Sequence, residues 1–223
     1  MRTLYHYPLC PFSRKTRLVL EEKKLDFSLE LEKIWERRPP FLNLNSTGTI
    51  PVLVDLNGTT IAESSAIAEY LQEAYPTPSI YPEDIVQRAE ARRIAAWIDD
   101  RFSREVSLVL AFEKALKRFY NKSSTPHSGL IREAKNRINF YLDHISWFVD
   151  RRRWLAGETF SIADIAVAAH LSIIDYLGDV PWDSHPSAKE WYARIKSRPS
   201  FRGLLADRIP GHAPTAHYMD LDF

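Results

Sequence analysis

The chain has 223 residues, long for one compact domain and comfortable for two. A hydrophobic share of 45% and a charged share of 26% exclude wholesale disorder, and 30 basic against 29 acidic side chains leave no basic field for nucleic acid or an acidic membrane. One cysteine permits neither an internal disulfide nor a multi-thiolate metal site, so no metal is expected. The opening Met1-Arg-Thr-Leu-Tyr-His-Tyr7 lacks an apolar leader core, and no apolar run approaches the ~20 residues that span a bilayer. These features predict a soluble, cytoplasmic protein that neither inserts into membranes nor binds nucleic acid.

The first 75 residues alternate short β-type runs with helical patterns. Strands are expected at Thr3 to His6, Phe27 to Leu31, Val52 to Asp55 and Thr59 to Ile61, and helices at Pro11 to Glu22 and Glu63 to Tyr75. The stretch between the second and third strands reads as irregular. Asn57-Gly58 signals a two-residue type I′ hairpin. A βαβ unit followed by ββα gives a mixed sheet flanked by helices. Tyr75-Pro-Thr-Pro-Ser-Ile-Tyr-Pro82 then breaks the pattern, because three prolines remove backbone donors. Beyond it the periodicity is helical: Glu83 to Phe119, Leu130 to Arg151, Ser161 to Tyr176, Pro186 to Lys196 and Ser200 to Asp207. The fold class is therefore α/β followed by all-α, divided into residues 1–76, a linker at 77–82, a helical domain at 83–207 and a tail at 208–223.

Three junctions carry chemistry. Cys10 precedes Pro11 at the start of the first helix, where free amides and the helix dipole would stabilise a thiolate; the expectation is a partly exposed thiol of depressed pKa, with Ser13 as a further donor. A lone cysteine is also commonly a small buried hydrophobe. Ile50-Pro51 enters the third strand, where proline is poorly placed unless its donor is not needed or its peptide bond is cis. With a cis bond, the Ile50 backbone would point outward and could hold an extended peptide. Glu63-Ser64 opens a helix, and its amides could receive a carboxylate or simply be capped.

These elements, in this order, resemble the glutathione S-transferase superfamily. Ser161-Ile-Ala-Asp164 resembles its N-capping box, and Trp154-Leu-Ala-Gly157 the approach to it. The resemblance implies a thioredoxin-like N-terminal domain with a four-stranded mixed sheet, an all-α C-terminal domain and a homodimer. It also implies a glutathione site in which Cys10 or Ser13 faces the sulfur, Ile50 and Pro51 pair with the cysteinyl backbone, and Glu63 and Ser64 hold the γ-glutamyl end. Lys33 or Trp35 would reach the glycyl carboxylate. Tyr5 and Tyr7 are the tyrosines nearest the family's hydroxyl position, with Tyr7 the candidate for a thiol-stabilising donor. Cys10-Pro-Phe-Ser13 looks like the cysteine-type classes, whose chemistry is thiol exchange.

A narrower resemblance, to the FzlA family of alphaproteobacterial cell-division regulators, rests on Glu22-Lys-Lys-Leu25, Trp35-Glu-Arg-Arg38, Asp175-Tyr-Leu-Gly-Asp-Val-Pro-Trp182, Lys196-Ser-Arg-Pro-Ser-Phe201 and His217-Tyr-Met-Asp-Leu-Asp-Phe223. It implies binding to FtsZ filaments at the division site through the C-terminal region, placing the contact on Tyr218, Asp220, Leu221, Asp222 and Phe223. Two readings stand at this point: a binding module on a transferase scaffold, and a glutathione-dependent transferase or thiol oxidoreductase using Cys10.

Overall fold

The computed structural model describes residues 1–221. Strand β1 (Arg2–His6) is central. It pairs in parallel with β2 (Phe27–Leu31), Leu4 opposite Leu29, and antiparallel with β3 (Val52–Val54), Leu4 opposite Leu53. β4 (Thr60–Ala62) closes the order β2-β1-β3-β4. Helix α1 (Pro11–Glu22) makes the parallel crossover between β1 and β2, as a βαβ unit requires. The hairpin between β3 and β4 differs from expectation. Asp55 and Gly58 close a turn, and only Gly58 of the pair Asn57-Gly58 takes a positive φ, so the turn is not type I′.

The stretch expected to be irregular contains a 3₁₀ turn at Ile34–Glu36 and a short helix α2 (Pro39–Leu44). Two prolines at its start supply helical φ angles, but six residues with one buried side chain, Phe41, leave no period to read. Ile50–Pro51 is cis, as anticipated, and Thr77–Pro78 is cis as well. Helix α3 (Ser64–Ala74) packs under the sheet against α1.

Past the proline-rich stretch, α4 (Ile85–Trp97) starts at an Asp84 cap whose carboxylate accepts the Gln87 amide at 2.8 Å. It continues through π-helical Ile98–Ser107, α5 (Leu108–Ala111), π-helical Phe112–Leu116 and α6 (Lys117–Tyr120). Helices α7 (Ser128–Val149), α9 (Pro186–Lys196) and α10 (Arg202–Leu205) complete the unit with α8 (Ile162–Tyr176), every residue of which is buried. It packs chiefly against α1, α4 and π-helical Ile98–Ser107, with α9 alongside. That burial explains a helix that is apolar nearly all round. Asp164 in its first turn is fixed by four donors: the Leu155 amide at 3.1 Å, the Ser161 amide at 3.0 Å, the Ser161 hydroxyl at 3.3 Å and Trp191 Nε1 at 3.0 Å. The expected capping box is thus present, and it also ties α9 to the loop before α8.

The sheet unit and the helical unit meet through α1 and α8. Arg14 Nη1 donates to Ser172 Oγ at 2.8 Å, and Phe12 meets His170 edge-on with ring centroids 5.4 Å apart. Lys15 pairs with Asp99, which lies 3.3 Å from His170 Nε2. Burial alone would push the Asp99 carboxyl up, but the Lys15 ammonium and the His170 ring outweigh it and hold it at about 2.

Candidate functional site

Cys10 is the N-cap of α1, in extended conformation, and its sulfur accepts the Ser13 amide at 3.4 Å. The thiol in turn lies 3.9 Å from the Ile50 carbonyl. Loop and strand ends therefore bring Cys10, Ile50 and the start of α3 to one place, as the sequence suggested. Glu63, just before α3, adopts φ 72°, an uncommon conformation for a non-glycine residue, which costs roughly 1–3 kcal/mol. Its amide donates to the Pro51 carbonyl at 3.3 Å and its carboxylate accepts the Thr49 hydroxyl at 2.9 Å. Ser64 follows as a buried first residue of the helix.

A cleft of about 450 Å³ opens over these groups. Tyr7, Leu9, Phe12 and Ile34 form much of its wall on one side, and Leu108, Phe112, Leu116 and Tyr120 of the long helical rod close the other. Trp35 crosses between them: it stacks on Phe119 with centroids 5.1 Å apart and planes 8° apart, and meets Tyr7 edge-on at 5.2 Å. Glu63 is the one charged side chain among the described residues that line this cleft. The part played by Phe112, Leu116, Phe119 and Tyr120 was not read from the sequence; the aromatic pair ending the long helical pattern was the available signal.

Three expectations about the thiol site need correction. Burial pushes the Cys10 thiol up; the hydroxyl and amide of Ser13 and the amide of Phe12 pull the other way without prevailing, and the Glu63 carboxylate adds to the rise. The helix N-terminus is present, but desolvation wins. Ser13 is fully buried beneath the loop, where its hydroxyl accepts the Tyr7 amide at 3.4 Å, so it stabilises Cys10 from behind and does not face a ligand. Lys33 is exposed, bonds to Glu36 at 3.2 Å and lines a different cleft on the far side of Trp35. Burial also raises the Tyr7 phenol despite the nearby Arg118, so it stays a protonated hydroxyl, the form in which a thiol-stabilising donor acts. Among the described residues no group of three or more His, Cys, Asp or Glu is placed to hold a metal.

The tail is fastened to the helical unit. Thr215 Oγ1 donates to the Asp175 carbonyl at 3.0 Å, His217 Nε2 sits 2.9 Å from Asp175 Oδ1, and Lys196 Nζ donates to the His217 carbonyl at 2.9 Å. Tyr218 is completely buried; its hydroxyl donates to the Leu204 carbonyl at 3.0 Å and accepts from Arg14 Nη1 at 3.0 Å. Tyr218 is therefore an anchor and not a contact residue, because its ring fills the core against Tyr176. Met219, Asp220 and Leu221 emerge exposed immediately after it. Asp222 and Phe223 lie outside the described residues.

A thioredoxin-like sheet carrying a cis-proline beside an N-capping cysteine, joined to a helical bundle, defines a glutathione transferase scaffold. The chain belongs to the glutathione S-transferase family: the N-terminal domain of that family matches residues 9–74 and the C-terminal domain residues 109–199. Within it the chain is a close homologue of FtsZ-localized protein A from Caulobacter vibrioides, with 45% identity covering 100% of this chain and 98% of that one. A solved structure of FzlA from C. crescentus superposes with a TM-score of 0.96 at 44% identity over 100% and 99% of the two chains. A glutathione S-transferase from Rhodospirillum rubrum superposes with a TM-score of 0.97 at 51% identity over the full length of both. No helix among the described residues is long and apolar enough to cross a membrane.

Proposed function

We propose that this chain is a cell-division regulator that binds FtsZ filaments as a homodimer, in the cytoplasm at the division site, through the exposed end of its tail. The observation that carries the reading is the end-to-end similarity to FtsZ-localized protein A. The structure supports it by presenting Asp220 and Leu221 on an anchored base, so a partner would meet a segment already ordered up to Tyr218. Preorganisation of that kind lowers the entropic cost of binding. Asp222 and Phe223 extend the same alternation of acidic and apolar residues in sequence. A dimer would present two copies to a filament and gain avidity. On this reading residues 1–76 and 83–207 are the scaffold, 77–82 the linker and 208–223 the partner-binding element.

The second reading, glutathione-dependent thiol exchange at Cys10, draws on the convergence of Cys10, Ile50 and Glu63 at one cleft, with Pro51 and Ser64 next to them in the chain. Against it stand the raised thiol and a lining that, among the described residues, offers no base to glutathione's glycyl carboxylate. Filament co-sedimentation with purified FtsZ tests the first reading. Wild type should pellet with filaments, and less of it at higher salt. Asp220→Lys should stay in the supernatant while remaining folded, with a modestly lowered melting temperature because the Asp220 carboxylate also attracts the Lys196 ammonium. Truncation at Pro210 would remove the buried Tyr218, so the clean deletion ends at Met219. Equal pelleting of all three proteins would reject the tail, and a wild type that fails to pellet but binds glutathione in a calorimeter would favour the second reading.

A further inference from the structure

Tyr7 and Trp35 line two clefts and so form the wall between them. The second cleft, of about 510 Å³, lies between the loop after β1, the turn around Lys33, α6 and the segment Arg208–Pro210. Its chemistry is the inverse of the thiol side. Four bases line it, Lys33, Arg118, Lys122 and Arg208, against one acid among the described residues, Glu36, which is matched to Lys33. The other three bases have no carboxylate within ion-pair distance among the described residues.

Two of those three are held in place. Arg118 donates to the Pro210 carbonyl and lies 4.8 Å over the Phe119 ring, and its Nε is buried with no partner among the described residues. Arg208 donates to the Leu205 carbonyl at 3.0 Å and the Asp207 carbonyl at 2.8 Å. Lys122 is exposed at the rim. Uncompensated positive charge has therefore been gathered from two separate segments around a concave surface faced with Trp35, Phe119 and Ile209.

We propose that this cleft binds an organic phosphate with a flat apolar body, the phosphate facing Arg118, Lys122 and Arg208 and the body lying on the Trp35 and Phe119 side. Three unmatched cations suit a dianion better than a monoanion, and the planar guanidinium is the side chain that best matches phosphate oxygens. Aromatic walls favour a flat ligand over a bare ion. The Trp35 wall separates such a ligand from Cys10, so the site is for binding and not for thiol chemistry. The inference is independent of the FtsZ reading.

Calorimetry on the full chain tests it with three probes: 1-naphthyl phosphate, inorganic phosphate and 1-naphthol. Naphthyl phosphate should bind at least roughly tenfold tighter than either fragment, because it alone engages both the cations and the rings. Lys122→Glu, at an exposed position, should weaken it roughly tenfold or more with an unchanged melting temperature. Glu63→Gln, across the wall, should leave it unaltered. Equal binding of naphthol would make the cleft merely apolar, and equal binding of inorganic phosphate would make it merely basic; either overturns the proposal. So does an unchanged Lys122→Glu, a loss confined to Glu63→Gln, or no heat from naphthyl phosphate.

Discussion

Replacing Tyr218 by phenylalanine isolates the bond that holds the tail. The ring and its edge-on contact with Tyr176, at 5.1 Å, remain; only the hydroxyl goes. Two hydrogen bonds are lost, one from the charged Arg14 and one to the Leu204 carbonyl. Each partner keeps other contacts: Arg14 still reaches Ser172 at 2.8 Å and Pro8 at 2.6 Å, and the Leu204 carbonyl still accepts the Asp207 amide at 3.2 Å. Neither group is left wholly orphaned, so the loss should stay near the sum of an ordinary and a charge-assisted bond, about 2–4 kcal/mol. Tyr218→Ala, which also empties a fully buried ring site, should cost about 3–5 kcal/mol. Urea unfolding followed by tryptophan fluorescence reads both as a lowered midpoint at constant slope. A Tyr218→Phe midpoint equal to wild type would refute the anchoring argument, and with it the claim that a preordered tail contributes to FtsZ affinity.

Acid should weaken the junction between the sheet unit and the helical unit. Asp99, held at about 2 against an ordinary 3.8, contributes roughly 2 kcal/mol that is present above about pH 4 and lost as pH falls toward 2. His170 is lowered by burial, so the unfolded chain takes up its proton first and stability also declines as pH drops below about 6.5. Between pH 7 and pH 4 His6, lowered to about 4, adds to that decline and Asp164, pushed up to about 6, opposes it. The His170 share is therefore read from His170→Asn, whose midpoint should fall less than that of wild type over this range. An unchanged fall would contradict the assignment, and Lys15→Met should remove the Asp99 contribution. Ser161→Ala should cost the ~0.5–2 kcal/mol of a lost cap, and Asp164→Ala distinctly more, because Trp191 Nε1 and the Leu155 amide lose a buried acceptor as well. Equal midpoints for those two variants would mean that Asp164 acts only as a cap.

Legibility in the sequence followed physical locality. The hydrophobic periods of α4 and α7 are properties of contiguous residues, and the burial of Ala91, Ile94 and Ala95 and of Ile138, Tyr141, Leu142 and Ile145 follows them. Helices α1 and α8, by contrast, are buried well beyond any one face. Cys10, Ile50, Glu63 and Ser64 could be gathered because each sits at an element junction whose geometry a local motif dictates. Desolvation is not local. The Cys10 sulfur loses water to a wall supplied in part by Phe112 and Leu116, about a hundred residues away in the chain, and no motif around Cys10 announces that. Lys33 failed for the same reason, since the side of Trp35 on which it falls depends on the stacking of Trp35 against Phe119. The tail misled differently: its aromatic residues read as a sticky surface, whereas Tyr218 had a place in the core reserved by Arg14, Leu204 and Tyr176.

The division of charge across Trp35 bears on how a transferase scaffold can serve as a binding module. Glutathione carries carboxylates at both ends, so a cleft that holds and activates it needs positive charge or free amides at both ends together with a thiol-stabilising field. Here the amides at the start of α3 are in place, but among the described residues the thiol-side cleft contributes one carboxylate and no base, and burial, with a smaller push from Glu63, raises the thiol. The bases stand on the other side of the Tyr7 and Trp35 rings. A single aromatic residue inserted between the sheet unit and α6 is enough to separate the two halves of the site while leaving both packing units intact, because its ring is satisfied by stacking rather than by a ligand. The buried Arg14, Asp175 and Tyr218 hold the tail in place without any contribution from the thiol site, so the exposed Met219, Asp220 and Leu221 can carry the function proposed for the tail whether or not that site is occupied.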